Sequence, residues 1–210
     1  MLMSDQITKV IVSNSTVFAL SDGANGVFQS YDNGIRWVRD TSYTKWQTVI
    51  SLALKDTSLF LGTDDNQVGI IRSYFKKGIG KSRILGVCCG YYPIAVSGPN
   101  VIVGGNLGPT NHLLISKDDG ITWKNSTLSF NDFFASALNA IGNSVFAYVD
   151  HTVYQSFDNG DNFIRIDTLS DYVSTFEVID KTLYAATGKG IWKREISITD
   201  VQENTPVPAT

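Results

Sequence analysis

A short alternating strand pattern recurs five times along the chain. It appears as Thr16-Val-Phe-Ala-Leu20, Ser58-Leu-Phe-Leu-Gly62, Asn100-Val-Ile-Val-Gly104, Ser144-Val-Phe-Ala-Tyr148 and Thr182-Leu-Tyr-Ala-Ala186. The central residues Phe18, Phe60, Ile102, Phe146 and Tyr184 lie 42, 42, 44 and 38 positions apart. A second strand pattern follows each: Gly26-Val-Phe-Gln-Ser30, Gly69-Ile-Ile-Arg-Ser73, His112-Leu-Leu-Ile-Ser116, Thr152-Val-Tyr-Gln-Ser156 and Gly190-Ile-Trp-Lys-Arg194. Side chains alternate sides along a strand, so such segments bury both faces only when sheets stack. Several short strands per unit, repeating about every 40 residues, predict the blades of a β-propeller.

The pattern predicts a single all-β domain over 1–202, a five-bladed β-propeller of four-stranded antiparallel blades at about 7–40, 49–87, 92–125, 136–167 and 175–202. Within the blades, strands are expected at Ile7–Ser13, Val17–Ser21, Gly26–Ser30 and Ile35–Arg39, and correspondingly in each later unit, with Ile121–Asn125 and Asn162–Asp167 outermost in the third and fourth. A toroid must close, because open sheet edges invite unwanted pairing. Either Ser197–Gln202 returns as the fifth outer strand, the option favoured, or the N-terminal residues add to the last blade. The aperiodic, proline-bearing end 203–210 is expected to be a disordered tail.

Between third and outer strands stands a repeated octapeptide: Ser30-Tyr-Asp-Asn-Gly-Ile-Arg-Trp37, Ser116-Lys-Asp-Asp-Gly-Ile-Thr-Trp123 and Ser156-Phe-Asp-Asn-Gly-Asp-Asn-Phe163. Asp and Asn accept backbone N–H groups in tight turns, and Gly supplies a positive φ at little cost. The second unit keeps only a shifted remnant, Ser73-Tyr-Phe-Lys-Lys-Gly78, and the fifth has none. These octapeptides resemble the Asp-box, or bacterial neuraminidase repeat, β-propellers. The resemblance implies a structural role on the outer rim for Ser30, Asp32, Gly34, Trp37, Ser116, Asp118, Gly120, Trp123, Ser156, Asp158, Gly160 and Phe163. It also implies a secreted bacterial protein, extracellular, cell-surface or periplasmic. Related boxes occur in sialidases, xyloglucan hydrolases, sorting receptors and a photosystem assembly factor, so the motif names a fold and leaves the activity open.

Charge narrows the field. The balance of 17 Lys+Arg against 20 Asp+Glu gives −3 with no basic run, which argues against a nucleic-acid surface. No run of 18 apolar residues suggests a transmembrane helix, and Met1–Gln6 lacks the basic and apolar regions of a signal peptide. The adjacent Cys88 and Cys89 read as two free thiols, since a vicinal disulfide needs a strained ring.

Two function classes remain. A sialidase needs an arginine clamp on the substrate carboxylate, yet Arg36, Arg39, Arg83 and Arg165 fall on outer strands or their lead-ins. A general glycosidase needs two carboxylates across a cleft. Only Glu177, on an innermost strand, is placed to face a channel. His112 and His151 occupy equivalent connections in neighbouring units, but without a third ligand they make no metal site, and no cofactor is expected. The connections entering the innermost strands carry Tyr43, Trp46, Tyr91, Tyr92, Phe133 and Tyr172. Aromatic platforms interleaved with Asn and Asp suit recognition of sugar or peptide. The sequence therefore predicts a non-catalytic binding or scaffold module for carbohydrate or protein. The candidates are Tyr43, Trp46, Tyr91, Tyr92, Phe133, Tyr172, Glu177, His112 and His151, with a glycoside hydrolase or a membrane-complex assembly factor as alternatives.

Overall fold

The computed structural model describes residues 6–21, 26–40, 49–63, 69–74, 82–86, 93–104, 111–130 and 135–197, with backbone only for 69–74, 82–86 and 111–112. The described residues form five antiparallel sheets. Sheet one comprises β1 (Ile7–Ser13), β2 (Thr16–Ser21), β3 (Val27–Ser30) and β4 (Val38–Arg39). Sheet two comprises β5 (Val49–Lys55), β6 (Ser58–Thr63), β7 (Gly69–Tyr74) and β8 (Ser82–Gly86). Sheet three comprises β9 (Ile94–Ser97), β10 (Asn100–Val103), β11 (Asn111–Ser116) and β12 (Lys124–Phe130). Sheet four comprises β13 (Ala137–Ile141), β14 (Ser144–Val149), β15 (Thr152–Ser156) and β16 (Ile164–Thr168). Sheet five comprises β17 (Val173–Ile179), β18 (Thr182–Thr187) and β19 (Gly190–Glu195). Each sheet runs in chain order from inside to outside, and the innermost strands pack in sequence, β1 on β5, β5 on β9, β9 on β13, β13 on β17. This is a propeller arrangement.

The strand boundaries match the alternating pattern closely, except at the outer strands after the boxes. Those begin at Val38, Lys124 and Ile164 rather than at the expected Ile35, Ile121 and Asn162, and the third runs on to Phe130 instead of ending at Asn125. The residues between are consumed by the turn. Asp32, Asp118 and Asp158 each accept, through Oδ1, the backbone N–H four residues on, from Arg36 at 2.7 Å, Thr122 at 2.8 Å and Asn162 at 2.8 Å. Those N–H groups are therefore withheld from the ladder. The serine of each box is wholly buried and accepts the glycine N–H, at 2.8 Å in Gly34, 2.7 Å in Gly120 and 2.9 Å in Gly160. Its hydroxyl donates back to the aspartate at 2.9, 2.8 and 2.7 Å. The tip places both central residues at positive φ, for example Asn159 at 58° and Gly160 at 89°, a pairing that asparagine and glycine tolerate.

The boxes do more than join two outer strands. The box of sheet three reaches back to sheet two, where Lys55 Nζ donates to Asp119 Oδ1 at 2.6 Å and to the Pro99 carbonyl at 2.6 Å. In the box of sheet four, the Asn159 carbonyl accepts Asn100 Nδ2 at 2.8 Å and its side-chain oxygen accepts Ser97 Oγ at 3.0 Å. Gly98, at φ 51°, stands so close to Asn159 that a Cβ there would lie 2.8 Å from Oδ1. Asp161 takes Lys117 Nζ at 2.6 Å and Lys124 Nζ at 2.8 Å from sheet three. Trp123 packs into the layer between sheets two and three, and Phe163 into that between three and four.

Four apolar layers hold the five sheets. Phe18, Leu20 and Val27 meet Leu52, Leu59 and Leu61. Ala53 and Phe60 meet Ile94, Val101 and Val103. Ile102, Leu113 and Ile115 meet Val145, Ala147 and Val149. Phe146, Tyr148 and Val153 meet Phe176, Leu183 and Ala185. The space between sheet five and sheet one has no such layer among the described residues, and β17 and β1 lack the packing that joins the other inner strands. The closure expected of a five-bladed ring is therefore not seen. The fifth sheet shows three strands among the described residues, and all but the first residue of the expected Ser197–Gln202 strand lies outside them.

Candidate functional site

The five innermost strands surround an axial channel. Its upper half, about 450 Å³, is lined by the first residues of each strand or those just before, among them Thr8, Ile50, Pro93, Ser136 and Ser174. Its lower half, about 420 Å³, shares Lys9, Val10, Ile94, Leu138, Thr175 and Glu177 with the upper, so the two are continuous. Aliphatic side chains make up most of this wall, with a few Ser and Thr. Lys9 and Glu177 are the charged groups on it among the described residues, contributed by the first and last inner strands. Enclosure by the channel walls strips bulk water from the Lys9 ammonium and holds its pKa below the ordinary lysine value, and the Glu177 carboxylate partly offsets this.

At the face where chain enters the innermost strands, sheets four and five present a second cluster. It forms around Tyr148, the last residue of the fourth alternating repeat. The Tyr148 hydroxyl donates to the Asp171 carbonyl at 2.7 Å, which fixes the connection from β16 to β17. His151 follows in the β14–β15 turn at φ 59°. Its Nδ1 lies 3.2 Å from the Leu169 carbonyl and 3.4 Å from the Tyr148 oxygen. A carbonyl can only accept, so Nδ1 carries a hydrogen toward Leu169. His151 is exposed, and the Leu169 N–H donates to its carbonyl at 2.7 Å.

Tyr172 packs edge-on against Tyr148, centroids 6.4 Å apart and planes at 90°, and leaves 51% of its surface in solvent. Asp171 Oδ1 accepts the Tyr172 N–H at 2.9 Å, while Oδ2 is buried beside Gly188 with no protein hydrogen bond. Burial, and then the nearby carboxylates of Asp171 and Asp150, raise the Tyr148 hydroxyl above the usual tyrosine range, so it remains a donor. The result is an exposed aromatic ring and an exposed imidazole that share Tyr148 as their neighbour.

The sequence candidates divide accordingly. His151 and Tyr172 share Tyr148 as their common support. Glu177 stands in the channel, apart from them. His112 is described by its backbone only, on β11, and Tyr43, Trp46, Tyr91, Tyr92 and Phe133 lie outside the described residues, as do Cys88 and Cys89. Among the described residues no group of three or more metal-ligating side chains gathers. Sequence reading missed Tyr148, Asp171 and Lys9. The first had a signal: Tyr148 closes a repeat whose other copies end in Leu20, Gly62, Gly104 and Ala186. The box residues fall at the rim, where their hydrogen bonds are spent on turn and neighbouring sheet.

No protein-family profile matches the chain, and no curated protein matches it. Solved structures do. The extracellular domain of a putative hybrid two-component system from B. thetaiotaomicron superposes with a TM-score of 0.69 and 16% identity, over 94% of this chain and 27% of that one. The GH74 xyloglucanase of Xanthomonas campestris gives 0.63 and 13%, over 92% and 36%. YCF48 from Cyanidioschyzon merolae gives 0.63 and 9%, over 93% and 70%. YCF48 has also been solved bound to a D1 peptide. The chain thus spans about a third or less of the first two and about two thirds of the third. At these identities the likeness is one of fold, and it supports the propeller. No helix among the described residues is long and apolar enough to cross a membrane.

Proposed function

We propose that this protein is a non-catalytic binding module of the Asp-box propeller kind, which holds a segment of another protein against the face carrying Tyr172 and His151. The observation that carries the reading is the half-exposed Tyr172 ring, packed edge-on against Tyr148, whose hydroxyl also adjoins the exposed His151 imidazole. A rigid aromatic with few torsions to freeze contributes contact area at low entropic cost. Binding is favoured over turnover because Glu177 is the one carboxylate lining the channel among the described residues, and glycoside hydrolysis needs a pair. The peptide complex of YCF48 shows that a propeller of similar fold takes a protein segment. The extracellular neighbour supports a position outside the cytoplasm. Peptide and glycan arrays probed with the wild-type chain and with Tyr172→Ala test this. Peptide signals that weaken in the variant are expected. Glycan signals alone would change the ligand class, and glycoside turnover abolished by Glu177→Gln would replace the module with an enzyme.

A further inference from the structure

At two interfaces between neighbouring sheets, a box residue stands between two inner hairpin turns. Between sheets two and three it is Asp119. Its carboxylate takes the ammonium of Lys55, which precedes the Asp56–Thr57 turn, and the same ammonium reaches the Pro99 carbonyl in the next turn. Between sheets three and four it is Asn159. Its side-chain oxygen accepts Ser97 Oγ, before the Gly98–Pro99 turn, and its carbonyl accepts Asn100 Nδ2, after that turn. Its N–H donates to the Asn143 carbonyl in the following turn. Polar side chains of each inner turn are thus spent on the box of the next sheet.

The second unit carries no intact box, since Ser73-Tyr-Phe-Lys-Lys-Gly78 has lost the aspartate. Between the Asn14–Ser15 turn of sheet one and the Asp56–Thr57 turn of sheet two lies a cavity of about 280 Å³. Ser13 and Thr16 hold there the register positions that Ser97 and Asn100 hold around Asn159. Among the described residues, the side chains of Ser13, Asn14, Thr16, Asp56 and Thr57 make no hydrogen bond. Buried Phe18 and half-buried Leu54 supply an apolar lining. Tyr31, the second residue of the first box, also lines the cavity and is 40% exposed. Its hydroxyl donates to Gln29 Oε1 at 2.6 Å, and Gln29 Nε2 donates to Asp40 Oδ2 at 3.1 Å, so buried partners hold the ring in place.

Charge selects the class of ligand. Asp56 is the charged residue of the lining, and no Lys, Arg or His joins it among the described residues. An acidic ligand, a box-like turn of another chain included, would meet a like charge with no cation to pair it. A neutral molecule rich in hydroxyls fits better. Its O–H groups donate to the Asp56 carboxylate and exchange hydrogen bonds with Ser13, Asn14 and Thr16, while an apolar C–H face lies against Tyr31. The volume stands at the lower edge of the about 300–1,000 Å³ usual for small-molecule sites, which suits one ring rather than a chain. We propose that this cavity is a binding site for a single neutral sugar residue. It lies at the box end of the strands, opposite the Tyr172 face, and is independent of it.

Saturation-transfer NMR on the full chain tests the proposal, with glucose, galactose, mannose, xylose, fucose and N-acetylglucosamine as separate probes. At least one is expected to bind with millimolar affinity. Tyr31→Ala, which removes the ring, and Asp56→Asn, which removes the charge and suits the same turn, are each expected to weaken it about three- to tenfold. Asp56 is exposed in its turn, so Asp56→Asn remains a test even if Tyr31→Ala fails to fold. Tyr172→Ala should bind the sugar as the wild type does. Absence of binding by all six probes at tens of millimolar overturns the proposal. So does a sugar whose affinity neither Asp56→Asn nor a folded Tyr31→Ala alters, or one lost with Tyr172→Ala instead. A synthetic peptide of the box sequence Ser116–Trp123 that displaces the sugar and is itself released by Asp56→Asn would assign the cavity to a protein turn, and would also overturn it.

Discussion

Lys55 Nζ lies 2.6 Å from Asp119 Oδ1, and through it the rim turn of sheet three is tied to the inner hairpin of sheet two. The lysine side chain is only 14% exposed, and the same ammonium reaches the Pro99 carbonyl at 2.6 Å. Lys55→Met keeps the buried stem and removes both bonds. The aspartate is partly solvated, which places the loss near the value for a surface pair, about 1 kcal/mol. Urea unfolding checks it, and an unchanged midpoint would show that the boxes hold only their own sheets.

A box serine is the more costly residue to lose. Ser156 is wholly buried, accepts the Gly160 N–H at 2.9 Å and donates to Asp158 at 2.7 Å. Ser156→Ala leaves a glycine N–H without its acceptor inside the turn, so a loss of roughly 1–3 kcal/mol is expected. Binding at the Tyr172 face should be unaltered, because the rim turn lies at the opposite end of the strands.

The boxes also set the response to acid. Hydrogen bonds from the Thr122 side chain and backbone hold Asp118 down at about 2. Asp32 is lowered chiefly by the Arg36 N–H. For Asp158 and Asp161 burial works upward, but hydrogen bonds from Asn162 and Ser156, and from Lys117 and Lys124, win and leave both below the usual range. A carboxylate depressed in the folded state contributes stability above its unfolded pKa, near 4, and that contribution is lost as pH falls toward the folded value. Thermal melting should therefore drop steadily from about pH 4 to about pH 2. Asp118→Asn, which cannot titrate, should flatten part of that fall. A melting temperature independent of pH over this window would contradict the role given to the boxes.

Much of this architecture could be read from the chain. β1 and β15 fall where the alternating pattern puts them, and the three boxes are turns between third and outer strands. What escaped is what spacing cannot carry. The outer strands begin late because the box aspartate diverts backbone N–H groups that a period-2 pattern counts as ladder. Val10 and Val12 alternate as any buried strand does, and periodicity shows that a face is apolar without showing whether anything covers it. At the site, Tyr172 and His151 were visible as an aromatic and an imidazole in the right connections. Their common support, Tyr148, stood in the pattern only as the last residue of an alternating strand, and it is 3% exposed in the last apolar layer. Lys9 sat unremarked in the first inner strand, although Glu177 in the last one, lining the same channel, had been singled out.

The central claim is that the face around Tyr172, and not the channel carboxylate, recognises a protein segment. Isothermal titration of a peptide selected on the arrays, against wild type, Tyr172→Ala and Glu177→Gln, addresses it directly. Loss of an exposed aromatic anchor is expected to weaken binding by about 1–2 kcal/mol, roughly five- to thirty-fold. Glu177→Gln should bind as the wild type does, and all three proteins should melt alike. A peptide held equally by wild type and Tyr172→Ala but released by Glu177→Gln would place recognition in the channel and contradict the account.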